Sequence, residues 1–209
     1  GGAPGAAGRG AALDLWAPAA PAPDPSRADG AARQPAGAHP HLFRGAALSF
    51  TTADLCDAFA AEVQVAEPLF RDFGAARSFA GAIETLRVFE DNALVRRVLE
   101  ERGNGRVLVV DGGGSLRRAL VGGRLAALAA AGGWIGIVVH GCIRDSAAIA
   151  GAAVGVKALG ICPMPAAKTG AGERGVPLTF AGVTWRPGAF VYADWDGLVI
   201  AGRDLLRPK

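Results

Sequence analysis

The chain has 209 residues, 51% of them hydrophobic and 20% charged, which is enough for one domain with a substantial core. Its net charge of +3 is scattered, and no basic run is interleaved with aromatic residues, so the composition argues against a nucleic-acid partner. The three cysteines, Cys56, Cys142 and Cys162, form no C-x-x-C pair, which argues against a disulfide framework or a zinc site and fits a reducing cytoplasm.

Residues 1–45 differ in composition from the rest of the chain. They are dominated by Ala, Gly and Pro and show neither a helical nor a strand period. Because such a composition cannot bury enough apolar surface to offset chain entropy, we predict a disordered extension here, or sequence upstream of the true start. No compact apolar segment follows a basic one, so a secretory signal is not expected. A single domain is predicted over residues 46–209.

The middle of the chain alternates helix-like and strand-like segments. Thr51 or Thr52 can cap the first helix, and Asp91 or Asn92 can cap the second, whose apolar residues recur on one face. Helices are predicted over residues 52–59, from 91 or 92 to the glycine at 103, over 124–131 and shortly after 144; strands are predicted over 62–66, 80–89, 106–110, 135–139 and 154–161. Gly141 is predicted to form a turn after the strand over 135–139.

One uncharged stretch, residues 125–143, is long enough to span a bilayer. The pair Gly132-Gly133 interrupts it, and the composition changes from rich in Ala and Leu to rich in β-branched residues. A helix, a tight turn and a buried strand are therefore predicted instead of a membrane span.

The final third of the chain is predicted to be β-structure. Short strands are predicted over 176–180, 183–185, 189–192 and 198–201, with turns at Pro187-Gly188 and Asp196-Gly197. Together with the alternating middle section, this predicts a compact, single-domain mixed α/β fold with a β-rich C-terminal third.

Two segments at the ends of predicted strands are candidates for chemistry, because ligands of open α/β sheets bind beyond the carboxyl ends of strands. They are residues 111–114 and residues 140–145, which adjacent parallel strands would bring together. The glycine run at 112–114 lacks both G-x-G-x-x-G and G-x-x-x-x-G-K-[ST], which argues against a nucleotide loop. No G-x-S-x-G occurs either, and His140 is interpreted as a structural residue at a strand end.

The pair Arg144-Asp145 is the sharpest candidate site. Arginine offers a planar fork that suits a carboxylate, and aspartate is a hard oxygen ligand for magnesium or manganese. One carboxylate can be sufficient, because magnesium keeps several of its waters. The alternative is a surface salt bridge, which is the commoner role of such a dipeptide. A second candidate is the segment Gly122, Gly123, Arg124 and Leu125, where a helix start could bind an anion or could be an ordinary helix beginning.

From Thr52 to Leu205 the sequence resembles the family that contains the regulator of ribonuclease activity A and the class II 4-hydroxy-4-methyl-2-oxoglutarate aldolases. The resemblance lies in several stretches, and together they are specific. They are T-T-A-D-L-C-D-A-F from 51, V-A-E-P-L-F-R-D-F-G from 65, F-E-D-N-A-L-V from 89, R-V-L-V-V-D-G-G-G-S-L-R-R-A-L from 106, G-C-I-R-D from 141, G-V-K-A-L-G from 155, and F-A-G-V-T-W-R-P-G and Y-A-D-W-D-G from 180 and 192.

The family's aldolase signature, a glycine followed after twenty residues by Arg-Asp, is matched by Gly123 and Arg144-Asp145. The resemblance implies that the backbone amides of Gly122, Gly123, Arg124 and Leu125 bind the substrate's carboxylate and keto end. It also implies that Arg144 contacts substrate and that Asp145 binds a divalent cation, Mg²⁺ or Mn²⁺. The signature often continues with an acidic residue where this chain has Ala148, which puts the surroundings of the metal in doubt.

The resemblance further implies an α/β/β/α sandwich assembled as a homotrimer with sites between subunits. The expected activity is metal-dependent cleavage of 4-hydroxy-4-methyl-2-oxoglutarate to two pyruvates, with oxaloacetate decarboxylation through the same enolate. A metal-bound water or Glu173 could be the general base, although a solvated loop residue is the commoner role for a glutamate in such a position. Regulator-type members typically lack the acidic metal ligand, so Asp145 favours the enzyme. The alternatives are a non-enzymatic regulator that binds and inhibits a ribonuclease, and an inactive scaffold trimer.

Overall fold

The computed structural model describes residues 1–2 and 50–207, and the fold below is that of the unit from Ala47 to Lys209. The disordered extension predicted for residues 1–45 lies outside the described residues, apart from Gly1 and Gly2, and stays a prediction. Four helices are described: α1 (Thr52–Phe59), α2 (Ala93–Leu99), α3 (Gly123–Ala131) and α4 (Ser146–Ala150).

Twelve strands are described in the same part of the chain. They are β1 (Val63–Val65), β2 (Arg71–Asp72), β3 (Phe79–Arg87), β4 (Val107–Asp111), β5 (Ala119–Val121), β6 (Gly136–Ile143), β7 (Gly155–Ile161), β8 (Glu173–Arg174), β9 (Leu178–Phe180), β10 (Val183–Trp185), β11 (Phe190–Ala193) and β12 (Leu198–Ala201).

A ten-stranded sheet is the frame of the molecule. Its main path runs β1-β12-β11-β3-β4-β6-β7-β2, with β5 added beside β6 and β8 beside β3. The pairs β3–β4, β4–β6, β5–β6 and β6–β7 are parallel, and the flanking pairs are antiparallel. The parallel centre follows from the alternating helices and strands of the middle section, because a helical crossover returns the chain to the same edge of the sheet.

The core has three parts, which together give the predicted α/β/β/α arrangement. Alternate residues of β4 separate the first two: Leu108 packs with α2, α3 and α4, whereas Val109 packs on the opposite face with β9, β10, β11 and β12. In the third part, Leu55 of α1 packs on the outer face of β11 and β12. The helices thus cover the sheet faces with their apolar sides, and the apolar face predicted for the second helix is the one that α2 buries.

The predicted turn at Gly141 is wrong. Strand β6 continues through Gly141 to Ile143, with a shift in register towards β7 between Val139 and Cys142. Cys142 and Ile143 are buried and pair with both neighbouring strands, so the extended backbone satisfies hydrogen bonds that a turn would leave unpaired. As a consequence, Arg144 and Asp145 follow directly after the strand.

The short strands β2, β5 and β8 were not predicted. Each has only two or three residues, and each is defined by pairing with a strand distant in sequence. The uncharged stretch at 125–143 consists of α3, a glycine turn with Gly133 at φ +77°, and β6, as predicted. Among the described residues no helix has the length and apolar character needed to span a bilayer.

Candidate functional site

The candidate site lies where β5 and β6 end side by side. Val121 pairs with Ile143 at the last position of both strands. The next backbone amide, that of Arg144, donates to the carbonyl of Val121 at 2.9 Å. The beginning of α3 and the pair Arg144-Asp145 are therefore held together by the sheet, in the position where ligands of parallel sheets bind.

Asp145 turns its side chain towards the start of α3. Its Oδ2 accepts a hydrogen bond from the amide of Gly123 at 3.1 Å, and Arg144 Nε lies 3.9 Å from the same oxygen. The Asp145 backbone is left-handed, with φ 56° and ψ 43°, a conformation that costs energy in most non-glycine residues. No hydrogen bond to Oδ1 occurs within residues 50–207, so this oxygen is available to a ligand.

Glycine is required at positions 122 and 123 because neighbouring atoms leave no room for a Cβ there. A Cβ at Gly122 would lie 2.9 Å from Asp145 Oδ2 and 3.3 Å from Arg144 Cγ. A Cβ at Gly123 would lie 2.7 Å from the Cβ of Ala148 in α4. The matched spacing of glycine and Arg-Asp thus corresponds to direct contact between the start of α3 and the end of β6. Ala148, at the position that is often acidic in the family, lies against Gly123.

An open cleft of about 610 Å³ begins at this contact. It is lined by Asn92, Ala93, Arg96, Arg97, Glu100, Gly122, Arg124, Leu125, Arg144, Asp145 and Lys168. Five of these side chains are cationic and two are carboxylates, which leaves a surplus of three positive charges. A cleft of this charge favours a small ligand with more than one negative charge.

Five predicted site residues line the cleft: Gly122, Arg124, Leu125, Arg144 and Asp145. Gly123 does not line the cleft, and its backbone amide donates to Asp145 instead of being free to bind substrate. The amide of Leu125 donates to the carbonyl of Gly122 at 3.0 Å. Of the four amides implied to bind substrate, those of Gly122 and Arg124 donate to no protein group within the described residues and are the two available to a ligand.

One wall of the cleft was not predicted from the sequence. Asn92 and three charged residues of the helical segment after it supply part of this wall, and Lys168 reaches it from the loop after β7. Asn92 Nδ2 donates to the carbonyl of Leu120, which ties the start of α2 to β5 at 3.2 Å. The basic face of α2 was visible in the sequence, but nothing in the sequence shows that it faces Arg144.

The other predicted strand-end segment, residues 111–114, lies beside residues 140–145 but does not line the cleft. Asp111 and His140 pair across β4 and β6, as predicted, and His140 Nδ1 lies 3.0 Å from Asp111 Oδ1. The His140 ring stacks on Phe180 with centroids 4.5 Å apart, which supports a structural role. Burial acts to raise the pKa of Asp111, but hydrogen bonds from His140 and the Gly113 amide outweigh burial and lower it.

Glu173, the possible general base, does not line the cleft either. It lies in β8 and forms a salt bridge with Arg87 at 2.7 Å. It borders a separate cavity of about 420 Å³, together with Phe89 and Asp111. Within one subunit, Glu173 is therefore separated from Arg144 and Asp145.

The donor set fits a divalent cation that keeps most of its water. Within the described residues no three or more His, Cys, Asp or Glu side chains are grouped as a metal cage. Asp145, with its side chain 52% exposed and Oδ1 unbonded, offers a single hard ligand at the cleft. Magnesium is commonly bound in this way, by one or two carboxylates with water and substrate oxygens.

Comparison with known proteins identifies the family. The family model described as Aldolase/RraA, RraA-like, matches residues 52–200. A relative from Alkalilimnicola ehrlichii, named "Putative 4-hydroxy-4-methyl-2-oxoglutarate aldolase", is 53% identical over 160 residues, which are 77% of this chain and 99% of the relative.

Two solved structures share the fold at high identity. One, from Geobacillus kaustophilus, is described as S-adenosylmethionine:2-dimethylmenaquinone methyltransferase; it is 54% identical, with a TM-score of 0.75, and the match covers 77% of this chain and 99% of that one. The other is described as the RNA-processing inhibitor RraA from Thermus thermophilis; it is 48% identical, with a TM-score of 0.73, over 78% of this chain and 96% of that one. From residue 52 to residue 200, this chain belongs to the RraA-like family.

Proposed function

We propose that this protein is a divalent-metal-dependent aldolase that cleaves 4-hydroxy-4-methyl-2-oxoglutarate to two pyruvates. The observation that carries the proposal is the geometry of Asp145, which faces the start of α3 beside Arg144 in a cleft with surplus positive charge. The name borne by the relative from Alkalilimnicola ehrlichii supports the same activity. A metal held by Asp145, either Mg²⁺ or Mn²⁺, is part of the proposal.

The residues of the cleft can bind and orient the substrate. Arg144 offers its guanidinium fork to the C1 carboxylate, and the amides of Gly122 and Arg124 donate to the carboxylate or the C2 carbonyl oxygen. Asp145 would hold the cation, which when bound supplies Lewis-acid polarisation of the C2 carbonyl. Arg144 and the two amides add fixed positive potential where negative charge develops, which is the main electrostatic contribution expected of such a site.

The reaction is a retro-aldol cleavage. Removal of the C4 hydroxyl proton lets the C3–C4 bond break; C4 becomes the carbonyl of one pyruvate, and the bonding pair forms the enolate of the other. Protonation of that enolate at C3 gives the second pyruvate. Loss of CO2 from oxaloacetate leaves the same enolate, so we expect oxaloacetate decarboxylation as a side activity.

The base that removes the hydroxyl proton is not among the carboxylates described at the cleft. Glu100 pairs with Arg96 at 2.9 Å, and Asp145 is assigned to the metal. This favours a water molecule or a residue of a neighbouring subunit as the base. We propose a homotrimer in which sites lie between subunits. The exposed apolar side chains of Phe89, Leu116 and Met164, each more than half exposed, offer surface for such contacts.

The decisive experiment compares Asp145→Asn with the wild type in a coupled pyruvate assay. Asparagine tolerates the left-handed backbone and can still accept from Gly123, but it lacks the charge that a divalent cation needs. We expect wild-type activity to require Mg²⁺ or Mn²⁺, to vanish on chelation, and to fall by at least about 100-fold in the variant. An unchanged melting temperature would show that the fold is retained. Wild-type activity that survives chelation would contradict the scheme.

The methyltransferase description of one relative does not fit this cleft well. S-adenosylmethionine carries a sulfonium cation, and a cleft with surplus positive charge repels it. The sequence matches G-x-G-x-x-G only at residues 170–175, which contain β8 and are followed by β9 instead of a helix, so this match is not the loop of a dinucleotide site.

The second candidate function is a regulator that binds and inhibits a ribonuclease. The relative described as an RNA-processing inhibitor, at 48% identity, favours it. Trp195, which is 73% exposed and stacked by Arg77 at 5.1 Å, is an aromatic surface feature of the kind enriched at protein interfaces. Direct association with a purified ribonuclease, together with no pyruvate formation in the presence of Mg²⁺, would support this function over the aldolase.

A further inference from the structure

The loop that brings Lys168 to the cleft is attached to the start of α2 on both sides of the lysine. Before it, the Ala167 amide donates to the carbonyl of Glu90 at 2.8 Å, and the Asn92 amide donates to the carbonyl of Ala167 at 3.0 Å. After it, Thr169 Oγ1 donates to Asp91 Oδ2 at 2.7 Å. The backbone of Lys168 is therefore fixed relative to the cleft wall that α2 forms.

Asp91 is the anchor of this loop. It is only 2% exposed, and its carboxylate accepts hydrogen bonds from the amides of Ala93, Thr169 and Gly170 as well as from the Thr169 hydroxyl. Burial acts to raise the pKa of Asp91, but the bonds from Thr169, Ala93 and Gly170 outweigh burial and lower it. The anchor is thus charged at neutral pH and holds the loop in place.

Three cations of the cleft, Arg97, Arg124 and Lys168, form no salt bridge within the described residues, and of these only Lys168 lies on a loop that is attached to the start of α2 on both sides. The other two cations have carboxylate neighbours. Arg96 pairs with Glu100, and Arg144 lies near Asp145. Lys168 is exposed and forms no salt bridge or hydrogen bond in the part of the chain that the structure describes. Its ammonium group therefore contributes little to the fold, and it stands on a wall that carries neither the proposed metal ligand nor the two available amides.

We propose that Lys168 binds the second carboxylate of a diacid substrate and so determines specificity for diacids, an inference that rests on the proposed aldolase function. Arg144 and the start of α3 would take the keto-acid end, and Lys168 the carboxylate at C5. An ammonium point charge suits this end, because the C5 carboxylate needs no bidentate alignment. That carboxylate keeps its charge throughout cleavage and leaves with a pyruvate, so Lys168 stabilises bound substrate and transition state equally.

Uniform binding of this kind predicts an effect on KM without an effect on kcat. The test uses Lys168→Met with two substrates: 4-hydroxy-4-methyl-2-oxoglutarate, and 4-hydroxy-4-methyl-2-oxopentanoate, which has a methyl group in place of the second carboxylate and would yield pyruvate and acetone. We expect KM for the diacid to rise roughly 10- to 100-fold, with kcat and the kinetics of the monoacid unchanged. Lys168→Arg, which keeps the charge, should recover much of the loss.

The matched control is Arg96→Gln, which removes one positive charge from the same cleft at a residue already paired with Glu100. If both variants weaken binding of the diacid equally, the effect comes from the overall positive potential of the cleft and the proposal is overturned. An equal loss for both substrates in Lys168→Met, or no loss for either, also overturns it.

A binding titration separates this proposal from the proposed activity. Isothermal titration with 2-oxoglutarate and 2-oxobutyrate measures the contribution of a second carboxylate without turnover. We expect wild type to prefer the diacid, and Lys168→Met to bind both alike. A wild type that cleaves neither substrate refutes the aldolase, while the titration still decides the diacid site.

Thr169→Val tests whether Asp91 positions Lys168. This variant removes the hydroxyl bond to Asp91 but keeps the lysine. A more mobile loop loses more conformational entropy when the diacid binds to Lys168. KM for the diacid should therefore rise severalfold while KM for the monoacid stays the same. A fall in kcat for both substrates would instead show a general structural role.

Discussion

At the scale of single residues, the candidate site depends on Gly122 and Gly123 as well as on Arg144 and Asp145. Arg144 and Asp145 lie within contact distance of α3 only because positions 122 and 123 lack Cβ atoms. Gly122 has φ −126° and ψ 177°, an extended backbone that any residue can adopt, so its role is space and not conformational freedom.

Gly122→Ala should therefore lower activity with little cost in stability. Its Cβ would lie 2.9 Å from Asp145 Oδ2, and that carboxylate must move to relieve the contact. Displacement of a positioning group by about 1 Å can cost up to roughly 100-fold in rate, so we expect kcat/KM to fall by about 10- to 100-fold. The free energy of unfolding should change by less than about 1 kcal/mol.

The control for this variant is Gly202→Ala, since a Cβ there meets no atom within 4 Å. Steady-state kinetics and urea unfolding of both variants check the expectation. Full activity in Gly122→Ala would show that the position of Asp145 against α3 is not needed for turnover.

At the scale of secondary-structure elements, helix α1 is attached to the sheet by one buried carboxylate. Asp194, 7% exposed, follows β11 and accepts hydrogen bonds from the amide of Thr52 at 2.6 Å and from its hydroxyl at 2.8 Å. It also accepts from the amides of Asp196 and Gly197, which shape the turn before β12. One side chain thus fixes a helix start and a hairpin turn.

Asp194→Asn should destabilise the fold by roughly 1–3 kcal/mol at pH 7, because a neutral amide cannot satisfy four donors as a carboxylate does. Burial raises the pKa of Asp194, but the bonds from Thr52, Asp196 and Gly197 outweigh burial and place it below the ordinary 3.8. Since the folded pKa is depressed, this stabilisation is complete above about pH 4 and is lost as pH falls through the lower folded value.

Urea unfolding at pH 7 and at pH 3 would measure this effect. The stability difference between wild type and Asp194→Asn should shrink at the lower pH, while Asp196→Asn, at an exposed neighbouring position, should resemble wild type at both. A difference that is constant with pH would show that the charge of Asp194 is not the source of its contribution.

At the scale of the whole molecule, one subunit presents a cleft that is open, cationic and without an identified base. The proposed homotrimer predicts a mass in solution of about three times 21.1 kDa, measured by light scattering after size exclusion. Because a neighbouring subunit would complete each site, specific activity should fall on dilution at the concentration where the trimer dissociates. A monomer with full activity would contradict shared sites.

The positive potential of the cleft should make substrate binding by the intact protein depend on ionic strength. Attraction of a multiply charged substrate to exposed cations is screened by salt, with a Debye length of about 10 Å at 0.1 M. We therefore expect KM for the diacid to rise with ionic strength more steeply than KM for the monoacid. Parallel salt dependence for the two substrates would argue against charge-based selection.

The sequence by itself determined most of the fold. Capping residues, composition and apolar periodicity together were sufficient to predict the four helices and the longer strands. The spacing from Gly123 to Arg144-Asp145 also indicated a site, because it matches the signature of the family that the sequence resembles. The turn wrongly predicted at Gly141 shows the limit of prediction from sequence. Pairing of β6 with two neighbouring strands outweighed the local preference of glycine for turns.

Only the tertiary structure decided what surrounds that site. The wall formed by Asn92, Arg96, Arg97 and Lys168 joins segments that are far apart in sequence, and their contact depends on how α2 and the loop after β7 pack against the sheet. The same is true of the short strands β2, β5 and β8, which exist only through their partners. Long-range pairing and packing carry no signature in a single sequence, because any polar surface residue could have occupied those positions.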